Sequence, residues 1–214
     1  MNLQVSGLIP IPLRERLQAR PSGIWGRDKS FGKGERIFIQ APSGTGKTTL
    51  IHLLYGLRSD YDGSISWDGK KLSPTNAEWL ADWRSNHVSV IFQDLRIFPE
   101  LTAWENLEVK RSLTNTIQPA EIEEWMQRLG IGDKKNSLGK TLSYGEQQRL
   151  VIIRALLQPF KWLLMDEPFS HLDINNTAIA ARLIEEVADR NGASFILADL
   201  DANTFFPYTQ TIFL

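Results

Sequence analysis

The chain has 214 residues, of which 42% are hydrophobic and 23% charged, a composition typical of a folded globular domain. Lysine plus arginine (24) nearly balances aspartate plus glutamate (25), so the overall charge gives no indication of a nucleic-acid partner or an anionic membrane surface. The absence of cysteine excludes disulfides, cysteine-ligated metals and thiol catalysis. This composition is compatible with a reducing compartment, and the cytoplasm is the default expectation.

Neither a signal peptide nor a membrane span is expected. Residues 1–13 lack a basic segment ahead of a long apolar run, and Pro10 and Pro12 interrupt the apolar residues there. A spanning helix needs about 18 uninterrupted apolar residues. The most apolar stretch, residues 150–165, is interrupted by Arg154, Gln158, Pro159 and Lys161. We therefore expect a membrane role to be peripheral, without direct insertion.

Strand and helix patterns alternate in the first part of the chain. Residues 36–41 (RIFIQA) predict a strand, and residues 48–57 predict a helix that carries leucines at helical spacing, with a glycine-containing loop between them. Residues 61–72 predict a small antiparallel hairpin, because an alternating run lies between two Asp-Gly pairs. Residues 77–85 then predict a helix, and residues 88–92 (VSVIF) a buried strand.

The middle of the chain predicts helices only. Residues 94–149 contain no convincing strand pattern, whereas residues 103–113 and 119–129 have helical periodicity. The alternation then resumes, with predicted helices at 146–157 and 175–189 and predicted strands at 162–165, 194–198 and 211–214. Strands that alternate with helices predict an α/β fold with a doubly wound, largely parallel sheet.

Residues 41–48 (APSGTGKT) match the phosphate-binding loop G-x-x-x-x-G-K-[ST], except that Ala41 replaces the first glycine. The two glycines let backbone N–H groups point at a phosphate, Lys47 reaches the β- and γ-phosphates, and the Thr48 hydroxyl can ligate Mg²⁺. A solvated turn is the alternative, which the flanking strand and helix disfavour. The predicted binding residues are Ala41, Pro42, Ser43, Gly44, Thr45, Gly46, Lys47, Thr48 and Thr49.

Two acids end the apolar strand pattern at 161–167 (KWLLMDE). They fall at the carboxyl edge of the predicted sheet, where ligands of such folds bind. We expect Asp166 to hold Mg²⁺ through water and Glu167 to act as the general base that polarises an attacking water. A helix cap or a solvated turn is the alternative for such a pair taken by itself.

Residues 142–149 (LSYGEQQR) predict a helix start that can bind an anion. Ser143 is placed as the N-cap, and Gly145 leaves N–H groups open beside the helix dipole. An ordinary cap is the alternative. The segment resembles the LSGGQ-type signature of the ATP-binding-cassette (ABC) ATPases and lies 23 residues ahead of Asp166, as in that family. With the loop at 41, Gln93 after VSVIF, and the two acids, the resemblance covers essentially the whole chain.

The resemblance implies a P-loop NTPase fold of the ABC type, with a mostly parallel sheet core, a small antiparallel β subdomain and an inserted helical subdomain. It implies one nucleotide-binding domain over residues 1–214, with no appended domain expected. The core with its antiparallel lobe would comprise residues 1–93 and 150–214, and the helical subdomain residues 94–149.

The same resemblance implies ATP and Mg²⁺ as cofactors and a role for each matching residue. Gln93 would contact Mg²⁺ or the attacking water and couple the site to the helical insert. The catalytic residues would be Lys47, Gln93 and Glu167, and the metal ligands Thr48, Gln93 and Asp166. The signature contacts would come from Ser143, Gly145 and Glu146. Residues 169–173 (FSHLD) resemble the D-loop, with Asp173 as its aspartate; a turn that caps the next helix is the alternative.

In this family two cassettes enclose two ATP molecules head to tail, so the resemblance implies a second ABC subunit, with a homodimer expected. It also implies an integral-membrane permease as partner, with this chain peripheral on the cytoplasmic face of the inner membrane. Residues 88–107 look like the lipoprotein-release, cell-division and macrolide-export ATPases, although amino-acid importers share much of this stretch. The alternatives are a soluble cassette ATPase and a nucleotide-sensing regulatory module.

Several positions depart from the family pattern. Ile9, Pro10, Ile11 and Pro12 lie where an aromatic that stacks on adenine is usual, and Trp25 is the nearest candidate, although it falls late in register. Tyr144 replaces a signature glycine. The switch histidine expected after the strand at 194–197 is replaced by Ala198 or Asp199. We therefore expect either slow hydrolysis or an asymmetric partner that supplies the competent site, and His171 in the D-loop is a candidate substitute for the missing imidazole.

Overall fold

The structure is a computed structural model that describes residues 1–17, 21–73 and 75–214. A five-stranded parallel sheet forms its centre, with the strand order β6-β7-β8-β3-β9. A second, antiparallel sheet has the order β2-β1-β4-β5. The strands are β1 (Leu3–Pro10), β2 (Lys29–Phe31), β3 (Arg36–Gln40), β4 (Tyr61–Trp67), β5 (Lys70–Lys71), β6 (Val88–Ile91), β7 (Trp162–Asp166), β8 (Ser194–Asp199) and β9 (Gln210–Phe213).

Helices cover both faces of the parallel sheet. They are α1 (Arg14–Leu17), α2 (Lys47–Leu54), α3 (Ala77–Asn86), α4 (Ala103–Arg111), α5 (Pro119–Arg128), α6 (Tyr144–Leu156) and α7 (Ile174–Asn191). One hydrophobic cluster joins α4 to α7 to one face of the sheet, and a second joins α2, α3 and the antiparallel sheet to the other face. Burial on both faces explains why β7 is an uninterrupted run of buried residues.

The predicted α/β architecture is confirmed, including the parallel sheet, the small antiparallel sheet and the helical middle segment. Between residues 94 and 149 the structure contains α4, α5, the first turns of α6 and two short 3-10 turns, Gly132–Lys134 and Gly139–Thr141. The extended contact in this segment is a single bridge between Thr102 and Leu138. The α4 helix begins with a capping box formed by Thr102 and Glu105.

The antiparallel sheet is larger than the sequence predicts. The sequence predicts a hairpin at 61–72, and the structure has β4 and β5 there with a turn at Asp68 and Gly69. Most of β4 pairs instead with β1, and neither β1 nor β2 is predicted. Pro10 lies at the end of β1, where its missing N–H interrupts little of the ladder. The predicted helix at 48–57 ends earlier, at Leu54.

In the ranges that the structure describes, no helix combines the length and the apolar character required to cross a bilayer.

The contact between β1 and β4 depends on a glycine. A Cβ atom built on Gly63 would overlap the carbonyl oxygens of Ser6 and Gly7, and the residue has a φ of 87°. Gly69 has a similar φ of 76°, and nothing lies within 4 Å of a Cβ built there. The two glycines therefore share the backbone conformation and differ in the space around them.

We expect Gly69→Ala to lower the free energy of unfolding by about 1 kcal/mol, the ordinary cost of a left-handed residue. Gly63→Ala should lower it by about 1–3 kcal/mol more, because the added methyl also separates the two strands. Urea unfolding of both variants measures the difference. Equal losses would contradict the close approach of β4 to β1.

Candidate functional site

The loop at residues 41–46 connects β3 to α2 at the carboxyl edge of the parallel sheet. Gly44 and Gly46 have φ values of 77° and 103°, and Gly46 is the N-cap of α2. A Cβ atom on Gly46 would lie 2.9 Å from Leu13 Cδ1 and 3.1 Å from Trp25 Cζ2. Both conformation and space therefore require glycine at position 46, and the helix N-terminus stays open to an anion.

Two side chains hold the loop by donating hydrogen bonds to its backbone carbonyls. Lys47 Nζ donates to the Ala41 carbonyl at 2.9 Å, and Trp25 Nε1 donates to the Thr45 carbonyl at 3.1 Å. Trp25 is only 6% exposed, so its ring supports the loop and does not present an open face for stacking on a base. Ala41 is fully buried and its N–H donates to the Asp199 carbonyl at 3.0 Å.

Four polar side chains from three elements meet in front of the loop. Lys47 Nζ lies 3.2 Å from Glu167 Oε1, and Gln93 Nε2 donates to Glu167 Oε2 at 3.0 Å. The hydroxyl of Thr48 donates to Gln93 Oε1 at 3.4 Å. The structure thus brings together Lys47, Thr48, Gln93 and Glu167, which the sequence analysis selects from three separate motifs. In this arrangement the ammonium neutralises the carboxylate, and the amide orients it.

The backbone of Glu167 is in the left-handed region, with a φ of 46°. Its N–H donates to the Ala198 carbonyl at 2.9 Å, and its own carbonyl accepts from Gln148 Nε2 at 3.3 Å. A left-handed conformation costs a residue with a side chain about 1–2 kcal/mol, so the neighbouring strand and helix must hold it in place. The strain turns the Glu167 side chain from the strand toward Lys47 and Gln93.

Asp166 is the most unusual group in the site. Its side chain is fully buried, and neither carboxylate oxygen has a hydrogen-bond partner among the described residues. Burial raises the pKa of Asp166 to about 6; the negative charge of Glu167 adds to the shift, while Thr48 and Lys47 oppose it. A buried carboxylate without a donor is a poor structural element and a good ligand for a hard cation. Together with the oxygens of Thr48 and Gln93, it fits Mg²⁺.

An open cleft of about 290 Å³ is bordered by Lys47, Thr48, Gln93 and Glu167. Apart from the residues the sequence selects, the cleft is lined by Leu13 and Arg16 of the N-terminal segment. No motif marks these two positions, so sequence reasoning missed them. Arg16 adds a second cation beside Lys47, which suits a cleft for a polyphosphate.

The predicted signature forms a separate helix start. Ser143 is the N-cap of α6 and forms a capping box with Glu146: the Ser143 N–H donates to Glu146 Oε2 at 2.7 Å, and the Glu146 N–H donates to Ser143 Oγ at 3.3 Å. The backbone contact with Ser143 lowers the pKa of Glu146 below its usual range. Neither residue lines the cleft of the phosphate loop. Within one chain, the two predicted anion-binding helix starts therefore belong to different surfaces.

Gln148 joins the signature helix to the acids, and sequence reasoning missed this role. It is 1% exposed; its Nε2 donates to the Glu167 carbonyl and to Ser170 Oγ, both at 3.3 Å, and its Oε1 accepts the His171 N–H at 2.8 Å. The signal in the sequence is a glutamine on the apolar face of a helix. Nearby, a Cβ on Gly145 would lie 3.0 Å from the His171 carbonyl, so that glycine permits the close approach of residues 169–173.

The other end of α6 holds the segment that follows Gln93. Arg154, in the last turns of the helix, donates to the carbonyls of Leu95 (2.7 Å) and Arg96 (2.8 Å). Both of these residues have positive φ values, 53° and 47°. Burial lowers the pKa of Arg154 to about 10, still far above neutrality, so the guanidinium stays charged and the two carbonyls remain anchored.

Asp173 caps the helix that follows it, as the alternative interpretation of residues 169–173 predicts. It is the N-cap of α7, and its Oδ1 accepts the Asn176 N–H at 2.8 Å. The imidazole of His171 packs edge-on against the ring of Tyr144, with centroids 4.3 Å apart. Both rings belong to the surface that carries the signature. At the end of β8, Ala198 is fully buried, and burial raises the pKa of the neighbouring Asp199.

The parallel sheet, the glycine loop at the start of α2 and the paired acids at the end of β7 define a P-loop nucleotide-binding protein. A family model described as "ABC transporter" matches residues 27–170. The chain belongs to this family, and it is an ATP-binding ABC ATPase subunit of a transporter.

Curated relatives support the same assignment. The chain is 33% identical over 174 residues to the lipoprotein-releasing system ATP-binding protein LolD of Shewanella denitrificans, covering 80% of this chain and 75% of the relative. It is 34% identical over 184 residues to the glucose import ATP-binding protein GlcV of Saccharolobus solfataricus, covering 84% of this chain and 51% of that protein.

Among solved structures, the dimeric bacterial ABC transporter cassette MJ0796 has a TM-score of 0.76 at 21% identity, over 93% of this chain and 88% of that chain. A bacterial Atm1-family ABC exporter with ATP bound has a TM-score of 0.79 at 21% identity, over 100% of this chain and 36% of that chain. At this level of identity the likeness establishes the ABC ATPase fold.

Asp166→Asn should stabilise the protein in the absence of nucleotide and metal. The native pKa of about 6 exceeds the unfolded value of about 3.9, so the folded state binds more protons between these limits and wild-type stability falls as the pH rises from about 4 to about 6. At pH 8 we expect the variant to gain about 1–3 kcal/mol, and at pH 5 the gain should shrink.

Asp173→Asn is the matched control, because asparagine caps a helix as well as aspartate does and this side chain is exposed. Its stability should stay within about 0.5 kcal/mol of wild type at both pH values. Denaturant unfolding at the two pH values measures all three proteins. An Asp166→Asn variant that is less stable than wild type at pH 8 would show that the carboxylate is satisfied in the free protein.

Proposed function

We propose that this chain hydrolyses ATP as one half of a head-to-tail dimer that encloses two ATP molecules, and that the dimer drives an integral-membrane permease. The observation that supports the proposal is that Lys47, Gln93 and Glu167 meet beside the buried Asp166, whose carboxylate has no hydrogen-bond partner among the described residues. The site combines a carboxylate base (Glu167), an amide that orients it (Gln93) and a second carboxylate available to a cation (Asp166), which suits phosphoryl transfer to water.

Each residue then has a defined role. The loop N–H groups, with Lys47 and Arg16, bind and orient the phosphates, and Thr48, Gln93 and Asp166 hold Mg²⁺. When bound, the metal neutralises charge on the β- and γ-phosphates. Glu167 accepts a hydrogen bond from the attacking water and polarises it, once the phosphate takes over the contact with Lys47. Gln93 keeps the Glu167 carboxylate aimed at that water.

The separation of the two helix starts supports a composite site. The signature residues Ser143, Gly145 and Glu146 lie outside the cleft of their own chain. In the proposed dimer, the N-terminus of α6 from one subunit contacts the γ-phosphate bound to the loop of the other. Asp173 contributes to the same interface through the segment that it caps. ATP then joins the two subunits, and hydrolysis releases them.

The membrane partner is proposed from the relatives and from the surface of the helical segment. LolD is named as the ATP-binding protein of a lipoprotein-releasing system. Here three large apolar side chains of the predicted subdomain 94–149, Phe98, Val109 and Leu113, are 44–69% exposed. We propose that these exposed side chains contact a permease, with this chain peripheral on the cytoplasmic face of the inner membrane. We propose that the chain drives a permease in a process such as lipoprotein release or macrolide export.

A second candidate is a soluble or regulatory cassette that senses nucleotide and does not drive transport. The observation that favours it is the end of β8, where Ala198 and Asp199 supply no imidazole to the cleft. We expect this to slow hydrolysis. Glu167 argues for catalysis, because a site that only binds nucleotide does not require a base.

Glu167→Gln should bind ATP and form a stable dimer, because the amide keeps the contact with Gln93 and cannot polarise water. Lys47→Ala should bind ATP weakly and stay monomeric. Lys71→Ala is a matched control at an exposed strand end. Light scattering after size exclusion with MgATP gives the mass, and phosphate release gives the rate. A Glu167→Gln protein that hydrolyses ATP at the wild-type rate would contradict the assigned base.

Ser143→Asp tests the composite site, since aspartate preserves the helix cap and its negative charge repels a phosphate. Ser143→Asn is the neutral control. We expect hydrolysis to fall at least about tenfold more in the aspartate variant than in the asparagine variant. Mixing Ser143→Asp with Lys47→Ala should restore part of the activity, because one of the two sites in the mixed dimer is intact. Two variants that remain inactive when mixed would argue against sites shared between subunits.

The hydrolysis rate of the wild-type homodimer tests whether Ala198 and Asp199, in place of a histidine, slow the reaction. His171→Ala tests whether His171 supplies the imidazole instead. If His171 donates to the partner's γ-phosphate, its removal should lower hydrolysis about 10²-fold or more, as for other donors at a developing charge. Tyr144→Phe preserves the ring contact with His171 and should leave the rate within about twofold. Unchanged hydrolysis in His171→Ala would eliminate His171 from this role.

A further inference from the structure

A second cavity lies at the opposite edge of the parallel sheet from the nucleotide cleft. His87 directly precedes β6, Lys161 directly precedes β7, and Lys33 lies shortly before β3; all three line this cavity. The phosphate loop and the acids follow the other ends of the same strands. Because strands of about five residues separate the two edges by about 15 Å, the two sites do not overlap.

The wall of the cavity is a tryptophan cluster. Trp67, Trp79 and Trp83 line it, with centroids 5.4 Å apart for Trp67 and Trp83 and 5.7 Å apart for the stacked pair Trp79 and Trp83. Trp67 and Trp83 are 2% exposed, whereas Trp79 is partly exposed and presents the most accessible ring. The cavity has a volume of about 510 Å³, which falls within the usual range for small-molecule sites.

The charge of the rim is positive. Lys33, Lys70 and Lys161 line the cavity, against one carboxylate, Asp68, whose Oδ1 already accepts the Asn2 N–H at 2.7 Å. None of the three lysines forms a salt bridge within the ranges 1–17, 21–73 and 75–214. Lys70 Nζ lies 4.5 Å from the centroid of the Trp79 ring, so one ammonium is held directly over the accessible indole.

The wall also contains polar groups without partners. The indole Nε1 atoms of Trp67 and Trp83 are buried and have no acceptor among the described residues. Buried N–H groups are normally hydrogen-bonded, and Trp162 in the same cluster follows this rule by donating to a backbone carbonyl at 2.9 Å. Two unsatisfied donors behind a cationic rim are costly for a purely structural core.

We propose that this cavity binds a small anionic molecule with a planar, aromatic body. Its ring packs against Trp79 in place of the Lys70 ammonium, which moves aside, and its carboxylate, sulfonate or phosphate group lies among Lys33, Lys70 and Lys161. A neutral aromatic molecule would form an ion pair with none of the three lysines, and a small inorganic anion would leave the indole wall uncovered. The site is distinct from the nucleotide cleft and independent of ATP hydrolysis.

The test uses anilinonaphthalenesulfonate, an anionic aromatic probe, and its neutral counterpart N-phenylnaphthylamine. The wild-type protein should bind one sulfonate probe saturably, with energy transfer from the tryptophans, and should bind the neutral probe at least about fivefold more weakly. Saturating MgATP should leave binding unchanged. Displacement of the sulfonate probe by MgATP would place it in the nucleotide cleft and overturn the proposal.

Replacement of the lysines provides the decisive comparison. Each of Lys33→Gln, Lys70→Gln and Lys161→Gln should weaken sulfonate binding about two- to fivefold, and the triple variant at least about tenfold, with the neutral probe unaffected. Lys140→Gln, an exposed lysine far along the chain that pairs with Glu100, is the matched control and should bind like wild type. All four positions are exposed, so folding should be retained, and thermal unfolding monitors it. Unchanged binding in the triple variant, or no saturable binding in wild type, would overturn the proposal.

Discussion

The structure of the site depends on the burial of Asp166 at the end of β7. A buried carboxylate whose oxygens have no hydrogen-bond partner among the described residues destabilises the folded chain when it is charged, and protonation or a bound cation relieves that cost. The neighbouring groups are arranged around it: Lys47 reaches across the loop to Glu167, and Gln93 fixes the second oxygen of the same carboxylate. The stability lost by burying charged Asp166 would be recovered when a cation binds there.

The strain in the Glu167 backbone has the same origin. Strand β7 must bring Asp166 into the buried edge, and the next residue must leave the strand and turn toward the loop. A left-handed residue makes this turn within one position, and Ala198 and Gln148 hold it with hydrogen bonds to its N–H and carbonyl. The geometry of the candidate site therefore depends on residues of β8 and α6, which are remote in sequence from the acids.

The sequence predicts the elements that carry a strong local pattern. The loop at 41–48, the strand before Asp166 and the helix after Ser143 could be placed because glycine spacing, an apolar run and a cap each have a direct structural cause. Leu13, Arg16 and Gln148 could not be placed, since their roles arise from tertiary contacts that no spacing records. The sequence does not predict strand β1 because its pairing partner, β4, is more than fifty residues away. Nor does it predict the contact of Trp25 with the Thr45 carbonyl, which lies 20 residues along the chain.

Helix α6 links two places that the chain separates widely. Its first turn carries the Ser143 cap, and Arg154 in its last turns holds the carbonyls of Leu95 and Arg96, just after Gln93. Thirteen hydrogen-bonded residues form a stiff rod about 20 Å long. We infer that such a rod tilts as one body. A tilt at its signature end would then also move the segment that follows Gln93, at the cleft of the same chain.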